Sequence, residues 1–193
     1  FCVGVAEPRS VIDGRSIVPG DVAIGVASSG LHSNGYSLVR KVVFEMAGLG
    51  PGDYVEELGR TVGEALLEPT RIYARAVRRV LSHYRVKNVV HGIAHITGGG
   101  LVENVERILP EGVQVVVSRG RWPVPPVFRW VQRLGEIDEA EMERVFNMGI
   151  GLVLLVAPFF AESIRHQLGA AGLESWPIGR AVEGPRSVVW ETP

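Results

Sequence analysis

Strand-like and helix-like patterns alternate along the whole chain, and this alternation favours a layered α/β fold. Short apolar runs predict strands at residues 1–6, 22–27, 86–96, 113–117, 149–156, 175–182 and 187–190. Amphipathic spacing predicts helices at residues 34–47, 101–109, 127–134, 139–145 and 158–171, and one that starts at Pro69 or Thr70 and reaches Leu81. No linker interrupts the series, so we expect one domain over residues 1–193 with helices covering a largely buried sheet. The pattern leaves open whether the sheet is parallel or mixed.

Two helix starts carry capping residues. Thr61 and Glu64 have the spacing of a capping box, which predicts a short helix after Thr61. Asp138 with Glu141 predicts a capped start for the helix at residues 139–145.

The bulk composition disfavours several classes of protein. The chain carries 20 Lys and Arg against 21 Asp and Glu, whereas a nucleic-acid-binding domain is usually strongly basic. The longest apolar run, at about residues 150–157, is much shorter than the roughly 20 residues of a membrane span. Cys2 is the only cysteine, which excludes an internal disulfide and a cysteine-rich zinc site. We therefore expect a cytoplasmic protein that binds neither nucleic acid nor membrane.

The chain begins at Phe1, without an initiator Met and already in strand-like alternation. This start is what we expect if a longer protein is divided between two elements or within one. A processed or disordered N-terminus is the alternative, and composition does not separate the two.

Two glycine-rich loops follow predicted strands, at residues 28–35 and 97–100. Their glycines allow backbone N–H groups to turn toward an anion, and Ser28, Ser29, Ser33 and Thr97 can donate hydroxyl hydrogen bonds to phosphate oxygens. Ligands of open α/β sheets tend to bind at the carboxyl ends of strands, where both loops are expected. Neither loop matches the P-loop or the dinucleotide fingerprint, so tight turns without a ligand remain an alternative.

Several single residues near these loops have two interpretations. His32 and His95 can bind a phosphate or transfer a proton, or each can bond a loop carbonyl in a structural role. Asn34 can cap a helix or donate to a ligand, and Asn147 can lie in a plain turn or reach into a site. Arg71 stands apart from the arginines that follow it, which are expected on a solvated helix face. The acidic residues are scattered, without a pairing that resembles a metal cage.

Four segments occur in a characteristic order and spacing. They are Ser28-Ser29-Gly30-Leu31-His32-Ser33-Asn34-Gly35-Tyr36-Ser37-Leu38-Val39-Arg40, Leu67-Glu68-Pro69-Thr70-Arg71-Ile72-Tyr73, His95-Ile96-Thr97-Gly98-Gly99-Gly100 and Phe146-Asn147-Met148-Gly149-Ile150-Gly151. Together they resemble the C-terminal half of the phosphoribosylformylglycinamidine cyclo-ligase family, also called aminoimidazole ribonucleotide synthetases. The resemblance covers essentially the whole chain.

The resemblance implies an α/β (α+β) domain with a central mixed sheet flanked by helices, related to the ferredoxin-like arrangement. It implies a preceding N-terminal domain that dimerises and carries much of the ATP and Mg²⁺ site, so no metal ligand is expected in this chain. The implied reaction is ATP-dependent ring closure of formylglycinamidine ribonucleotide to aminoimidazole ribonucleotide, with release of ADP and phosphate. The expected partners are ATP, that ribonucleotide, the N-terminal domain and a second copy of the protein.

The resemblance also assigns site residues, of which this chain supplies only the C-terminal part. His32 and His95 are the candidate catalytic residues, and which of them transfers a proton stays open. The candidate substrate-binding or phosphate-binding residues are Ser28, Ser29, Gly30, Ser33, Asn34, Gly35, Thr97, Gly98, Gly99, Gly100, Arg71 and Asn147.

Two alternative functions remain. Related ATP-using enzymes of formylglycinamidine, selenophosphate and thiamin-phosphate synthesis are the nearer one, although residues 32–36 and 69–73 look most like the cyclo-ligase. The other is a non-catalytic domain that binds a nucleotide or a partner through the same loops.

Overall fold

The computed structural model describes residues 3–84 and 86–191 of the chain. Within them the strands are β1 (Val22–Ala27), β2 (Tyr54–Val55), β3 (Arg60–Thr61), β4 (Val90–His95), β5 (Val113–Val117), β6 (Ile150–Val156), β7 (Ser175–Glu183) and β8 (Ser187–Trp190). The α-helices are α1 (Tyr36–Arg40), α2 (Val62–Leu66), α3 (Ala74–His83), α4 (Gly100–Glu106), α5 (Pro126–Leu134), α6 (Glu139–Val145) and α7 (Ala161–Ala170). A π-helical segment, Lys41–Met46, continues α1, and 3₁₀ turns lie at Pro8–Ser10, Glu56–Leu58 and Pro158–Phe160.

One mixed sheet organises the fold. Its six strands lie in the order β4-β6-β1-β7-β5-β8, and all neighbours are antiparallel except β5 and β8. Both β1 and β4 pair antiparallel with β6, so they run in the same direction and end at the same edge of the sheet. The predicted central mixed sheet flanked by helices is therefore confirmed.

The sheet is covered on both faces. Every residue of β6 is buried, which is typical of a central strand that packs against layers on both sides. Leu152 and Leu154 pack in the cluster that contains residues of α3 and α7, whereas Val153 and Leu155 pack in the cluster that contains residues of α4. A third cluster joins α1, α2, α5 and α6 around Phe128 and Phe146. Each such fully buried side chain contributes roughly 1.5–3 kcal/mol.

Several predicted elements have the predicted bounds. The strands at residues 22–27, 113–117 and 187–190 and the helix at residues 139–145 agree at both ends. The capping box is also confirmed, because the Thr61 hydroxyl accepts from the Glu64 N–H while the Glu64 carboxylate accepts from the Thr61 N–H. The predicted capping bond of Asp138 is wrong. The helix α6 starts where expected, but the Asp138 side chain makes no capping hydrogen bond.

Other predicted boundaries are wrong for identifiable reasons. The helix expected from Pro69 or Thr70 begins only at Ala74, because the preceding residues bond to the loop at residues 28–35. The strand expected from residue 86 begins at Val90, after a turn closed by the Lys87 N–H and the Tyr84 carbonyl.

At the N-terminal end, the strand expected at residues 1–6 is absent from residues 3–6, which are exposed and pair with no described strand. Residues 1 and 2 lie outside the described part of the chain. No helix among the residues that the structure describes is long and apolar enough to cross a membrane.

Candidate functional site

The two glycine-rich loops meet at one edge of the sheet. We call residues 28–35, which follow β1, the serine loop, and residues 97–100, which follow β4, the glycine loop. Both adjoin residues 147–151, the junction segment that leads into β6. The Ser28 N–H donates to the Gly149 carbonyl at 2.8 Å, and the Ile96 N–H donates to the Gly151 carbonyl at 3.0 Å. The sheet topology therefore brings together two segments more than 60 residues apart in sequence.

A buried asparagine holds the serine loop in place. Asn147 is 2% exposed, and its Nδ2 donates to the carbonyls of Gly30 at 2.9 Å and Leu31 at 3.3 Å. Its Oδ1 accepts from the Ser28 hydroxyl at 2.9 Å and from the Gly149 N–H at 2.8 Å. Because both polar atoms of Asn147 are occupied inside the protein, the side chain ties the serine loop to the junction segment.

A second buried asparagine holds the glycine loop. Asn104 of α4 donates through Nδ2 to the carbonyls of Thr97, Gly98 and Gly100, at 3.2, 3.2 and 2.7 Å. Its Oδ1 accepts from the Thr97 hydroxyl at 3.1 Å. Gly100 also approaches α6 so closely that an added Cβ would lie 1.8 Å from the Glu143 carbonyl oxygen. Hydrogen bonds from Asn104 thus hold the glycine loop, and close packing against α6 leaves no room for a side chain at Gly100.

His32 occupies a strained and buried position in the serine loop. Its φ is +58°, in the left-handed region that costs a non-glycine residue of the order of 1–3 kcal/mol. Its Nε2 accepts from the Ser29 N–H at 3.1 Å and from the Arg71 N–H at 3.4 Å, so the proton of the neutral ring lies on Nδ1. Nδ1 is buried and has no partner among the described residues. Burial lowers the pKa of His32 to about 4, with smaller contributions from His95 and Arg71, so the ring is neutral at pH 7.

Tyr73 lies between the two histidines. Its ring centroid is 6.2 Å from that of His32 and 6.1 Å from that of His95, and its hydroxyl donates to the Ala27 carbonyl at 2.8 Å. Burial raises the pKa of Tyr73 to about 12, which keeps the phenol protonated. Gly151 makes this packing possible, since an added Cβ would lie 2.0 Å from the Tyr73 Oη and 2.6 Å from the His32 Cε1.

The hydroxyls that the sequence offers as phosphate donors all have protein partners. Ser28 and Thr97 bond to the two asparagines, and the Ser29 hydroxyl donates to the Pro69 carbonyl at 2.6 Å. The Ser33 hydroxyl lies 3.0 Å from the Thr70 hydroxyl, where one of the pair donates and the other keeps its hydrogen for a ligand. The backbone N–H groups of residues 30–33 and 97–99 donate to no protein acceptor in the described part of the chain.

The edge formed by the loops is open to solvent. His95, Ser33 and Gly98 are exposed, in contrast to His32. Gly35, rather than Asn34, is the N-cap residue of α1, so the capping interpretation of Asn34 is wrong. A cleft of about 470 Å³ lies elsewhere, beside the start of β4, and contains none of the predicted site residues. Among residues 3–84 and 86–191, no group of three or more His, Cys, Asp and Glu side chains could hold a metal ion.

Sequence reasoning missed three residues that shape this edge: Tyr73, Asn104 and Gly151. Only Asn104 left a clear signal, because it is a polar residue at helical spacing between the buried positions Leu101 and Val105. Tyr73 and Gly151 end two of the four segments that carry the family resemblance, but their contacts join separate segments and leave no local pattern that predicts a role in the site.

Comparisons with known proteins identify the family of the chain. A family described as AIR synthase related protein, C-terminal domain, matches residues 18–191. The phosphoribosylformylglycinamidine cyclo-ligase of Caldanaerobacter subterraneus subsp. tengcongensis is 49% identical over 189 residues, which are 98% of this chain and 55% of that protein. The one from Geobacillus thermodenitrificans is 49% identical over 184 residues, which are 95% of this chain and 52% of that protein. The chain thus spans about half the length of these relatives.

Solved structures share the fold at low identity. The hydrogenase maturation protein HypE matches with a TM-score of 0.60 and 18% identity, over 97% of this chain and 54% of that one. Thiamine-monophosphate kinase from Stenotrophomonas maltophilia matches with a TM-score of 0.57 and 15% identity, over 93% of this chain and 52% of that one. Similarity at this level shows the fold alone.

Proposed function

The chain belongs to the AIR synthase related family, of which it carries the C-terminal domain, and from this we propose that it supplies the C-terminal part of a phosphoribosylformylglycinamidine cyclo-ligase site. In the proposed reaction, ATP phosphorylates the formyl amide oxygen of formylglycinamidine ribonucleotide. An internal nitrogen then attacks the activated carbon, a C–N bond closes the imidazole ring, and phosphate leaves. The products are aminoimidazole ribonucleotide, ADP and phosphate.

The convergence of the serine and glycine loops on the junction segment is the observation that carries this proposal. The backbone N–H groups of residues 30–33 and 97–99, which have no acceptor among the described residues, give the edge donors for phosphate oxygens, and glycines let a ligand approach the backbone closely. The Ser33 and Thr70 hydroxyl pair adds one free hydrogen. The positive charge of Arg71 is close enough to His32 to help lower its pKa. Preformed donors of this kind suit a reaction in which alignment and charge stabilisation supply most of the catalysis.

We assign different roles to the two histidines. His32 is neutral at pH 7, its Nε2 is occupied and its Nδ1 is buried, so it fixes the serine loop against residue 71 rather than acting as a base. His95 is exposed at the same edge, and we assign the proton transfer to it.

The remaining candidate residues position the loops. Internal hydrogen bonds that hold the serine loop occupy the side chains of Asn147, Ser28 and Ser29. In the glycine loop, an internal hydrogen bond occupies the Thr97 hydroxyl. Gly35, Gly99 and Gly100 have positive φ angles that glycine accepts readily. Gly98 is open on its outer face, and Asn34 is half-buried beside Ser33, so a ligand can reach both.

The rest of the site is proposed to lie outside this chain. The donor set of the described residues does not fit Mg²⁺, so no step is assigned to a metal here. We propose that an N-terminal domain binds most of the ATP with its Mg²⁺ and forms a homodimer, and that the whole enzyme acts in purine biosynthesis in the cytoplasm.

Turnover by the full-length protein tests this function. With formylglycinamidine ribonucleotide and ATP, we expect equal amounts of aminoimidazole ribonucleotide and ADP, measured by chromatography. His95→Ala should lower kcat by about 10²–10⁴-fold, as expected for a lost proton-transfer group. His83→Ala changes an exposed histidine at the far end of α3 and should leave kcat unchanged. Absence of the imidazole product, or unaltered turnover by His95→Ala, would contradict the proposal.

A further inference from the structure

Positive charge is concentrated in the segment that leads from the serine loop's contact at Pro69 to the glycine loop. Residues 69–102 carry six of the chain's 20 Lys and Arg and none of its 21 Asp and Glu. This segment starts at the Pro69 carbonyl that binds the serine loop, continues through α3 and β4, and includes the glycine loop. Although the chain has a formal net charge of -1, the segment at residues 69–102 is therefore basic.

The arginines of this segment differ from those elsewhere in the chain in their carboxylate partners. Most other described arginines have a carboxylate partner within 4.0 Å; these are Arg15, Arg60, Arg107, Arg119, Arg129, Arg133, Arg144, Arg165, Arg180 and Arg186. We call Arg71, Arg75, Arg78 and Arg79 the arginine stripe, and no described carboxylate oxygen lies within 4.0 Å of their guanidinium groups.

Carboxylates next to the stripe are engaged with other arginines. Glu68, just before it in sequence, bonds to Arg60 at 2.9 Å. Glu162, on the helix α7 that packs against α3, bonds to Arg165 at 2.8 Å. Glu174 follows the groove residue Leu173 in sequence and makes no ion pair in the described part of the chain. Within the described part of the chain, no direct ion pair therefore neutralises the positive charge of the stripe.

The stripe leads to the candidate site. Arg75 and Arg79 are four residues apart on α3, and both line a groove of about 440 Å³ with Ile72 and Leu173. At a rise of about 1.5 Å per residue, they lie roughly 6 Å apart along the helix axis. Arg71 lies at the other end of the stripe, where its backbone N–H donates to the Nε2 of His32 and its charge contributes to the lowered pKa of His32. The charges thus begin at the site and extend over on the order of 12 Å, which is longer than the Debye length of about 8 Å at physiological salt.

We propose that the arginine stripe is an approach surface that attracts small polyanionic, phosphorylated ligands to the edge between the two loops. This inference rests on the proposed function, which supplies two such ligands in ATP and the ribonucleotide. A surface of one sign beside a site raises the local concentration of oppositely charged ligands and their association rate by about 10–10³-fold. Arg75, Arg78 and Arg79 need no bond to the bound ligand for this effect, so they act before binding and leave the chemical step unaffected.

The test compares two triple variants of the full-length protein with the same change in net charge. The stripe variant is Arg75→Gln/Arg78→Gln/Arg79→Gln, which leaves Arg71 in place. The control is Arg15→Gln/Arg144→Gln/Arg180→Gln, which removes three exposed arginines that are ion-paired elsewhere. At low ionic strength we expect kcat/KM for both ligands to fall about 3–10-fold in the stripe variant, with kcat unchanged and the control near the parent. The deficit should shrink toward zero by about 0.5 M salt, because salt screens exposed charges.

Equal kcat/KM values and equal salt dependence in the two variants would overturn the inference. A fall in kcat that persists at high salt would also overturn it, because it would indicate a structural or catalytic role. Failure of the proposed function is visible separately, as an absence of turnover in the unaltered protein. In that case the association rate of a fluorescent ATP analogue, measured by stopped flow in both variants, still decides whether the stripe attracts polyanions.

Discussion

Replacing Gly151 with alanine should damage the candidate site more than one added methyl group suggests. The new Cβ would lie 2.0 Å from the Tyr73 Oη and 2.6 Å from the His32 Cε1, whereas real Cβ contacts essentially never fall below 3.0 Å. Tyr73 cannot move away freely, because its hydroxyl donates to the Ala27 carbonyl at 2.8 Å. Overpacking of a buried position typically costs about 1–3 kcal/mol, and we expect a loss of that size here.

Urea unfolding measures this loss, and kinetics measure its effect on the site. Gly151→Ala should lower the free energy of unfolding by about 1–3 kcal/mol and should also lower kcat/KM, because it displaces His32. Gly52→Ala is the matched control, since an added Cβ at Gly52 meets no atom within 4 Å, and it should change stability by less than about 0.5 kcal/mol. Adding Tyr73→Phe to Gly151→Ala removes the nearest clashing atom and should restore part of the stability. An unfolding midpoint of Gly151→Ala equal to that of the parent would show that the described packing is incorrect.

Three further predictions concern stability. Asn147→Ala should lower the free energy of unfolding by about 2–3 kcal/mol, because it leaves buried groups of the serine loop without partners, and an unchanged urea midpoint would contradict the assigned role. The pKa of His32 falls from 6.5 to about 4 on folding, so the unfolded chain binds more protons between these values and stability should decrease as the pH drops from 6.5 toward 4. The urea midpoints at pH 7 and about 5 should differ less in His32→Asn than in the parent. An equal difference would exclude His32 as a source of the pH dependence of stability. Thr61→Ala should cost about 1 kcal/mol and Asp138→Ala less than about 0.5, because only Thr61 makes a capping bond, and thermal melts with equal losses would be evidence against this distinction.

The fold could be predicted from sequence where local pattern and tertiary packing agree. β1 and β5 are short β-branched runs between turns, and both are found at the predicted residues. The capping box at Thr61 was readable for the same reason, since both of its partners lie within four residues. The direction of β4 relative to β1, which brings the two loops together, depends on pairing with β6 and was only an expectation from the fold class.

The predictions failed where distant contacts override local preference. Residues 69–73 have helical spacing, but Pro69, Thr70 and Arg71 bond to the serine loop, and the helix starts only after them. The asparagine Asn104 was overlooked because its acceptors are loop carbonyls whose positions a sequence does not contain. The stripe arginines were visible in sequence, but the absence of local carboxylate partners required the structure.

Chemical-shift changes of backbone amides on ligand titration measure most directly whether the two loops form one phosphate site. The isotope-labelled full-length protein is titrated with formylglycinamidine ribonucleotide and, separately, with inorganic phosphate. We expect amides of residues 30–33 and of residues 97–99 to shift together along one saturation curve with the ribonucleotide, because both loops donate to the same ligand. Shifts confined to one loop, or found instead around Asn88 at the distant cleft, would contradict a shared site.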